Sequence, residues 1–476
     1  MGTVTQAGGR LSFAYDEIWR AAPNAFPLSL SMPLAAREHP HAAITPFLWG
    51  LLPDNALVLE RWGRQFQVSA GNPFALLGAV GEDCAGAVQF VRPERLATLA
   101  DAAAGTVAWL TEADLAARLR ALRADAAAGR APGDSGQFSL AGAQPKTALL
   151  LDGQRWGVPA GRMPTTHILK PAAAEPDGRV ENEHLCLALA RALGLPAAGS
   201  QLRRFDGVTA LVIERYDRVR IAALAEQRQA EAAMHAALAA AAAANPDATR
   251  AAADAVWHAA DAAAAGRDAQ NLAAYAATTA IFRVHQEDFC QALRIHPERK
   301  YQSDGGPGPR DIVALLRTSV HGGGPHRKPD AAGPAEEDVG TFLDALIFNW
   351  LIGGTDAHGK NYAMLIGGGG LVRLAPLYDL ASIFGVPGHD PERVKMAMKI
   401  GTHYRLRDIA PRDFSVLALD LKWNADRLID RLRDLARALP DALADESARL
   451  RAAEIGHPVL DRLRTALTAR ARHAAA

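Results

Sequence analysis

Hydrophobic and polar positions divide this chain into a strand-bearing front and a helical back. In Thr165-Thr166-His167-Ile168-Leu169-Lys170-Pro171 the Thr and Ile side chains favour an extended strand, and Pro171 closes it. Leu211-Val212-Ile213 predicts a second apolar strand, running into Glu214-Arg215-Tyr216-Asp217-Arg218. A third follows Lys146, in Thr147-Ala148-Leu149-Leu150-Leu151. Residues 342–352 are almost continuously apolar and predict a buried helix. From Asp413 to Ala476, leucines recur at spacings of three and four with Asp and Arg between them, the pattern of amphipathic helices packed on a lobe. Residues 1–105 read as a small strand-rich unit with helical patches, marked by the alternation Pro27-Leu28-Ser29-Leu30-Ser31. Residues 106–220 form a second strand-bearing unit and residues 278–476 a helical one.

Between them, residues 221–277 are alanine-rich. Stretches 222–244 and 248–264 are strong helix formers, broken at the turn signal Asn245-Pro246-Asp247. A helix of about 23 residues would reach roughly 35 Å. With few large apolar residues to bury, this segment predicts a protruding helical hairpin, either a tolerated surface insertion or a recognition arm. The Gly/Pro-rich patches at 303–309 and 321–334 predict loops.

Charge is balanced, with 52 Lys+Arg against 52 Asp+Glu. That argues against autonomous nucleic-acid binding, which shows a basic excess. Cys84, Cys186 and Cys290 lie far apart, with no C-x-x-C, and read as reduced thiols of a cytoplasmic protein. No apolar run is long enough to span a bilayer, which predicts no membrane association.

The candidate chemistry centres on Gly353-Gly354-Thr355-Asp356-Ala357-His358-Gly359-Lys360-Asn361, with Leu377-Tyr378-Asp379-Leu380 following. An Asp, an Asn five positions on and a second Asp on a later apolar segment make the layout of a protein-kinase centre. There the first Asp takes the proton of the attacking hydroxyl, and the Asn and second Asp hold Mg²⁺. Alone, the segment also fits a turn after a buried helix, with Asp356 capping the next element. Three other segments point the same way. In Ser139-Leu140-Ala141-Gly142-Ala143-Gln144-Pro145-Lys146, small residues let backbone N–H groups approach phosphate and Lys146 adds charge. It is not a Walker A loop, and a hairpin rim fits it too. Lys170, leaving its strand, can reach a phosphate, with Glu181 or Glu183 as partner. Glu214-Arg215-Tyr216 stands where a kinase places its adenine hinge.

Together these segments resemble the HipA family of serine/threonine kinases, the toxin half of a toxin–antitoxin pair. So do Leu51-Leu52-Pro53-Asp54, Gln286-Glu287-Asp288-Phe289-Cys290-Gln291 and Lys300-Tyr301-Gln302-Ser303-Asp304-Gly305-Gly306-Pro307-Gly308. The resemblance implies an α+β, bilobal protein-kinase-like fold, with a strand-rich N-terminal subdomain, an N-lobe over 106–220 and a helical C-lobe. It implies ATP and Mg²⁺ as cofactors, Asp356 as catalytic base, and Asn361 and Asp379 as metal ligands. Lys170 becomes the ATP lysine, Ala141 through Lys146 the phosphate-facing loop and Glu214 through Tyr216 the hinge. His358, Lys360 and Tyr378 border the nucleotide, and Ser139 is the autophosphorylated serine. Partners implied are a HipB-like helix-turn-helix antitoxin, DNA only through that antitoxin, and a translation-factor substrate such as an aminoacyl-tRNA synthetase. A non-catalytic co-repressor and a small-molecule kinase are the competing readings. The chain departs from the family in its short start, which enters at what reads as a second strand, and in the alanine-rich insertion.

Overall fold

The computed structural model describes residues 1–100, 105–126, 128–129, 138–173, 177–220, 281–319, 333–388, 390 and 393–475. The predicted alanine-rich hairpin lies outside the described residues.

The first unit is an antiparallel sheet in the order β1 (Gly2–Ala7), β2 (Arg10–Tyr15), β3 (Glu38–His39). Alternation along β2 turns Leu11, Phe13 and Tyr15 inward and Arg10 and Ser12 outward. The inner face packs on helices α1 (His41–Gly50), α2 (Ala56–Phe66) and α3 (Pro73–Val80) through Phe47, Leu48 and Leu77. Each such side chain contributes roughly 1.5–3 kcal/mol when fully buried. Asn55 and Asn72 cap α2 and α3 by accepting N–H groups of their first turns. The Leu-Ser alternation at 28–31 does not form a strand. Ser29 Oγ accepts the Ser31 N–H at 3.1 Å, and the segment folds into a turn closed by a Ser29–Met32 bridge.

The second unit is a six-stranded antiparallel sheet, ordered β4 (Thr106–Leu110), β6 (Arg155–Ala160), β5 (Thr147–Asp152), β7 (His167–Pro171), β9 (Val208–Glu214), β8 (Ser200–Phe205). Helix α4 (Glu112–Ala124), started by a Thr111–Asp114 capping box, covers one face. Helix α5 (Arg179–Ala192) packs on β8 and β9 and into the core of the next unit.

Strands β10 (Arg218–Arg220) and β11 (Ile281–Arg283) pair with Arg220 opposite Ile281. The insertion therefore leaves and returns at one point. The third unit follows: β12 (His285–Asp288), helices α6 (Phe289–Ala292), α7 (Pro309–Ser319) and α8 (Pro334–Ile352), and strands β13 (Ala363–Ile366) and β14 (Val372–Leu374). Strands β15 (Lys395–Ile400) and β16 (His403–Arg405) and helices α9 (Pro411–Asp420), α10 (Ala425–Ala452) and α11 (Pro458–Ala475) complete it. Helix α8 is the centre of this core, with Phe342, Ile347, Phe348 and Leu351 fully buried. Leu432, Leu439, Leu443, Leu463 and Leu467 bring α10 and α11 against that core, as their three-and-four spacing predicts. The result is a bilobal α+β fold with a kinase-like cleft between sheet and helices. Among the described residues, no helix is long and apolar enough to cross a membrane.

Candidate active site

Strand β7 delivers Lys170 to the cleft. Its Nζ donates to both Glu183 oxygens, at 2.8 and 2.9 Å, and to Asp379 Oδ1 at 2.9 Å. Glu183, rather than Glu181, is the partner. It lies on the buried face of α5, 2 % exposed. Burial pulls the Lys170 ammonium down, but Asp379 and Glu183 more than offset it and hold the pKa above the ordinary lysine value. The charge of Lys170 in turn holds Asp379 well below the usual carboxylate range. Burial pushes Glu183 up, against the pull of Lys170.

Asp379 has φ +55°, the left-handed region that few non-glycine residues adopt. Its segment is pinned to the second unit: Leu377 N–H donates to Pro196 O at 2.8 Å, and Ala198 N–H donates to Leu377 O at 2.8 Å.

The 356–361 loop begins where Gly353, at φ +66°, ends α8 in the left-handed conformation that glycine tolerates. Gly354 N–H donates to Asn349 O at 2.7 Å and His358 N–H to Asp356 O at 2.8 Å. The Asn361 side-chain amide donates to the same Asp356 carbonyl at 2.8 Å. The Asp356 carboxylate is 67 % exposed and accepts a hydrogen bond from the Tyr301 hydroxyl. The cleft walls push its carboxyl above the ordinary value, while the Tyr301 bond opposes the push. With most of the side chain open to water, that push is screened. His358 is buried beside it. Burial and then the nearby Lys300 charge lower its pKa to about 3, so the ring is neutral.

Lys360 is turned away from the Lys170 trio. Its Nζ meets Asp54 Oδ1 at 2.5 Å, while Lys300 Nζ meets Asp54 Oδ2 at 3.0 Å. Asp54 belongs to the first unit, just after α1. Burial raises its carboxyl, but the two lysines together bring it below the ordinary value. Asp54 N–H also donates to Gly142 O at 3.3 Å. One residue of the first unit thus touches both cleft loops.

The 139–146 loop lies folded into the cleft. Gly142 has φ +99°. Lys146 Nζ donates to Ala141 O, and burial, followed by repulsion from Lys170, lowers its pKa to about 8. Ser139 is fully buried, donating from Oγ to Leu51 O at 2.7 Å and from N to Asp83 O at 3.0 Å.

At the hinge, Glu214 is exposed and its N–H donates to Gly199 O at 2.9 Å. The Arg215 side chain is committed elsewhere: it donates to Asp217, Thr165 and the Cys84 carbonyl. Arg218 and Arg283 join it around the buried Asp83. This network ties the first unit to the hinge, and the Arg215 backbone is engaged too: its N–H donates to Thr166 O at 2.9 Å and its carbonyl accepts the Arg218 N–H at 3.1 Å. Tyr216 and Tyr378 face each other across the cleft, ring centres 5.8 Å apart.

The cleft holds about 230 Å³. Ala141, Gly142, Ala143, Gln144, Lys146, Lys170, Glu214, Arg215, Tyr216, Asp356, His358, Lys360, Asn361, Tyr378 and Asp379 all line it; Pro145 and Ser139 do not. A larger open groove of about 910 Å³ between α8 and α10 contains none of the predicted residues. Sequence reasoning missed Asp54 and Tyr301 as site residues. Both sat in segments similar to the family, but their partners are distant in the chain.

Residues 1–91 match the HipA N-terminal domain, and residues 138–282 and 267–443 match the HipA-like C-terminal domain. The chain belongs to the HipA family. Among its relatives, "Putative kinase Y4mE" of Sinorhizobium fredii is 34 % identical over 450 residues, covering 93 % of this chain and 89 % of that protein. The serine/threonine-protein kinase toxin HipA of Shewanella oneidensis is 27 % identical over 444 residues, covering 90 % of this chain and 83 % of its own length. A solved structure of the Shewanella oneidensis HipA, HipB and operator DNA complex matches with a TM-score of 0.70 at 23 % identity, over 99 % of this chain and 95 % of that one. That likeness gives the fold. This HipA-family chain is a kinase by its family and has the kinase-like architecture its sequence predicts.

Proposed function

We propose that this HipA-family chain is an ATP- and Mg²⁺-dependent serine/threonine protein kinase, acting as the toxin of a pair with a helix-turn-helix antitoxin. The observation that carries the reading is Lys170 bridging Glu183 and Asp379 in the same cleft as Asp356 and Asn361. A cation fixed by two carboxylates, an exposed carboxylate and a side-chain amide lining one pocket are what phosphoryl transfer requires.

The donor set fits Mg²⁺. Among the described residues, no group of three or more His, Cys, Asp or Glu side chains forms a metal cage. Mg²⁺ in kinases needs none, because one or two protein oxygens suffice beside phosphates and water. Asp379, kept ionised by Lys170, and Asn361 would supply those oxygens. When bound, the ion neutralises charge on the phosphates. Lys170 stabilises the charge that develops on the transferring group. Asp356 accepts the proton of the acceptor hydroxyl, whose oxygen attacks the γ-phosphorus while ADP leaves. Tyr216 and Tyr378 offer apolar faces for the base, and the Glu214 carbonyl and the Tyr216 backbone would meet its edge.

The Shewanella oneidensis HipA was solved with HipB and operator DNA, which supports an antitoxin partner here and contact with DNA only through it. Family resemblance supports a protein substrate of translation, such as an aminoacyl-tRNA synthetase. Incubating the chain with labelled ATP, Mg²⁺ and cell lysate tests the reading. A labelled serine or threonine in a lysate protein supports it, and the absence of any labelled protein overturns it.

A further inference from the structure

Tyr301 is absorbed neither by the kinase layout nor by any predicted role, yet its side chain touches the proposed base. Its hydroxyl donates to Asp356 Oδ1. A phenol O–H on a carboxylate reproduces the contact that a serine or threonine hydroxyl must make there before it attacks phosphorus. The Asp356 carboxylate is 67 % exposed, so an Oδ1 not covered by Tyr301 would be covered by water. Water on that oxygen is itself a nucleophile beside the γ-phosphate.

We infer that the Tyr301 hydroxyl is a stand-in for the acceptor hydroxyl, occupying Asp356 Oδ1 until a substrate displaces it and so withholding that oxygen from water. The inference rests on Asp356 being the base of the proposed kinase.

The surroundings suit a displaceable group. The backbone is anchored: Gly359 N–H donates to Lys300 O at 3.2 Å, and Gly306 N–H donates to Tyr301 O at 2.8 Å. Lys300 is held by Asp54. The ring is held more loosely, partly exposed and edge-on to His358 with centres 5.0 Å apart. Rotation of one side chain uncovers Asp356 without moving the loop. Burial, then the bond to Asp356, keeps the phenol pKa above its ordinary value, so it remains a donor.

Without the phenol, the unwanted reaction is hydrolysis. Water attacks the γ-phosphorus and gives its proton to Asp356, the bond from that phosphorus to the β-phosphate oxygen breaks, and ADP and inorganic phosphate leave. The test uses the full chain with Mg²⁺-ATP and no added acceptor, measuring ADP release in ¹⁸O-water. Tyr301→Phe and Tyr301→Met should raise hydrolysis several-fold over the parent, with one ¹⁸O in each phosphate. Adding Asp356→Asn to Tyr301→Phe should erase the gain. A tyrosine that merely orients Asp356 gives the opposite result, with hydrolysis falling or unchanged in both variants. That result, with lysate phosphorylation by the parent intact, overturns the stand-in and leaves the kinase. A gain that survives Asp356→Asn overturns Asp356 as base. No ATP turnover by the parent in either assay overturns the kinase reading and this inference with it. Two variants that fail to fold, by melting and ATP-binding calorimetry, or a phosphorylated Tyr301 in the parent, also overturn it.

Discussion

Asp54 of the N-terminal unit and Lys360 of the 356–361 loop form an ion pair 2.5 Å long across 306 residues of sequence. The Lys360 side chain is 4 % exposed and that of Asp54 17 %. Lys300 adds a second cation to the same carboxylate. The N-terminal unit therefore forms part of the cleft wall and is not an appendage to two lobes.

Removing Asp54 would leave Lys360 charged, buried and unpaired. Breaking a buried pair from one side costs about 3–5 kcal/mol. Asp54→Ala should lower the first unfolding transition in urea by an amount near the low end of that range, since Asp54 keeps some contact with water. Asp54→Asn should recover part of the loss, because its one amide oxygen can still accept a hydrogen bond from a lysine while its NH2 cannot. Equal stability of Asp54→Ala and the parent would show that the pair does not hold the units together.

Glu287 supplies a pH signature. It is 1 % exposed, accepts the Leu30 N–H at 2.7 Å through Oε1, and has no hydrogen-bond partner for Oε2 among the described residues. Burial pushes its pKa up to about 8. The unfolded value is about 4.3. Between those values the unfolded chain ionises and the folded one does not. This group's contribution to stability is therefore full below about pH 4.3 and is lost as pH rises toward 8. Glu287→Gln cannot ionise, so its melting temperature should gain on the parent as pH rises from 5 to 8. Parallel melting curves across that range would show that Glu287 is ionised in the fold.

Lys170, Asp356, Asn361 and Asp379 were legible because each sits in a short local pattern. What surrounds them was not. Glu181 and Glu183 were equal candidates in sequence, and only the phase of α5 on the sheet chooses Glu183. Arg215 read as part of a hinge, yet its guanidinium is spent on Asp217 and on residues of the first unit, a network no local pattern encodes. Asp54 and Tyr301 find their partners through tertiary contacts. The Leu-Ser alternation at 28–31 carried a strand period, but serine bonds to neighbouring backbone overrode it.

Ser139 stands two residues before Ala141 and Gly142, buried against Leu51 and Asp83. We propose that it is autophosphorylated. A phosphate brings close to two negative charges at neutral pH and cannot remain in that buried position. Its modification should expel the loop carrying Ala141 to Lys146 and abolish ATP binding. Mass spectrometry after incubation with Mg²⁺-ATP should find phosphate on Ser139, and calorimetry should find no ATP binding by that fraction. An unmodified Ser139 in an active preparation would end the proposal and leave the kinase intact.

The most direct measurement is the phosphorylation rate of Asp356→Asn against the parent, with labelled Mg²⁺-ATP and lysate. Asparagine keeps the shape of Asp356 but cannot take a proton. The variant should melt near the parent temperature and bind Mg²⁺-ATP, yet transfer phosphate at least roughly 10²-fold more slowly, the scale of general-base catalysis. Phosphorylation of the same proteins at a near-parental rate would contradict the account, because the other exposed carboxylate lining the cleft among the described residues, Glu214, stands at the hinge and not in the 356–361 loop.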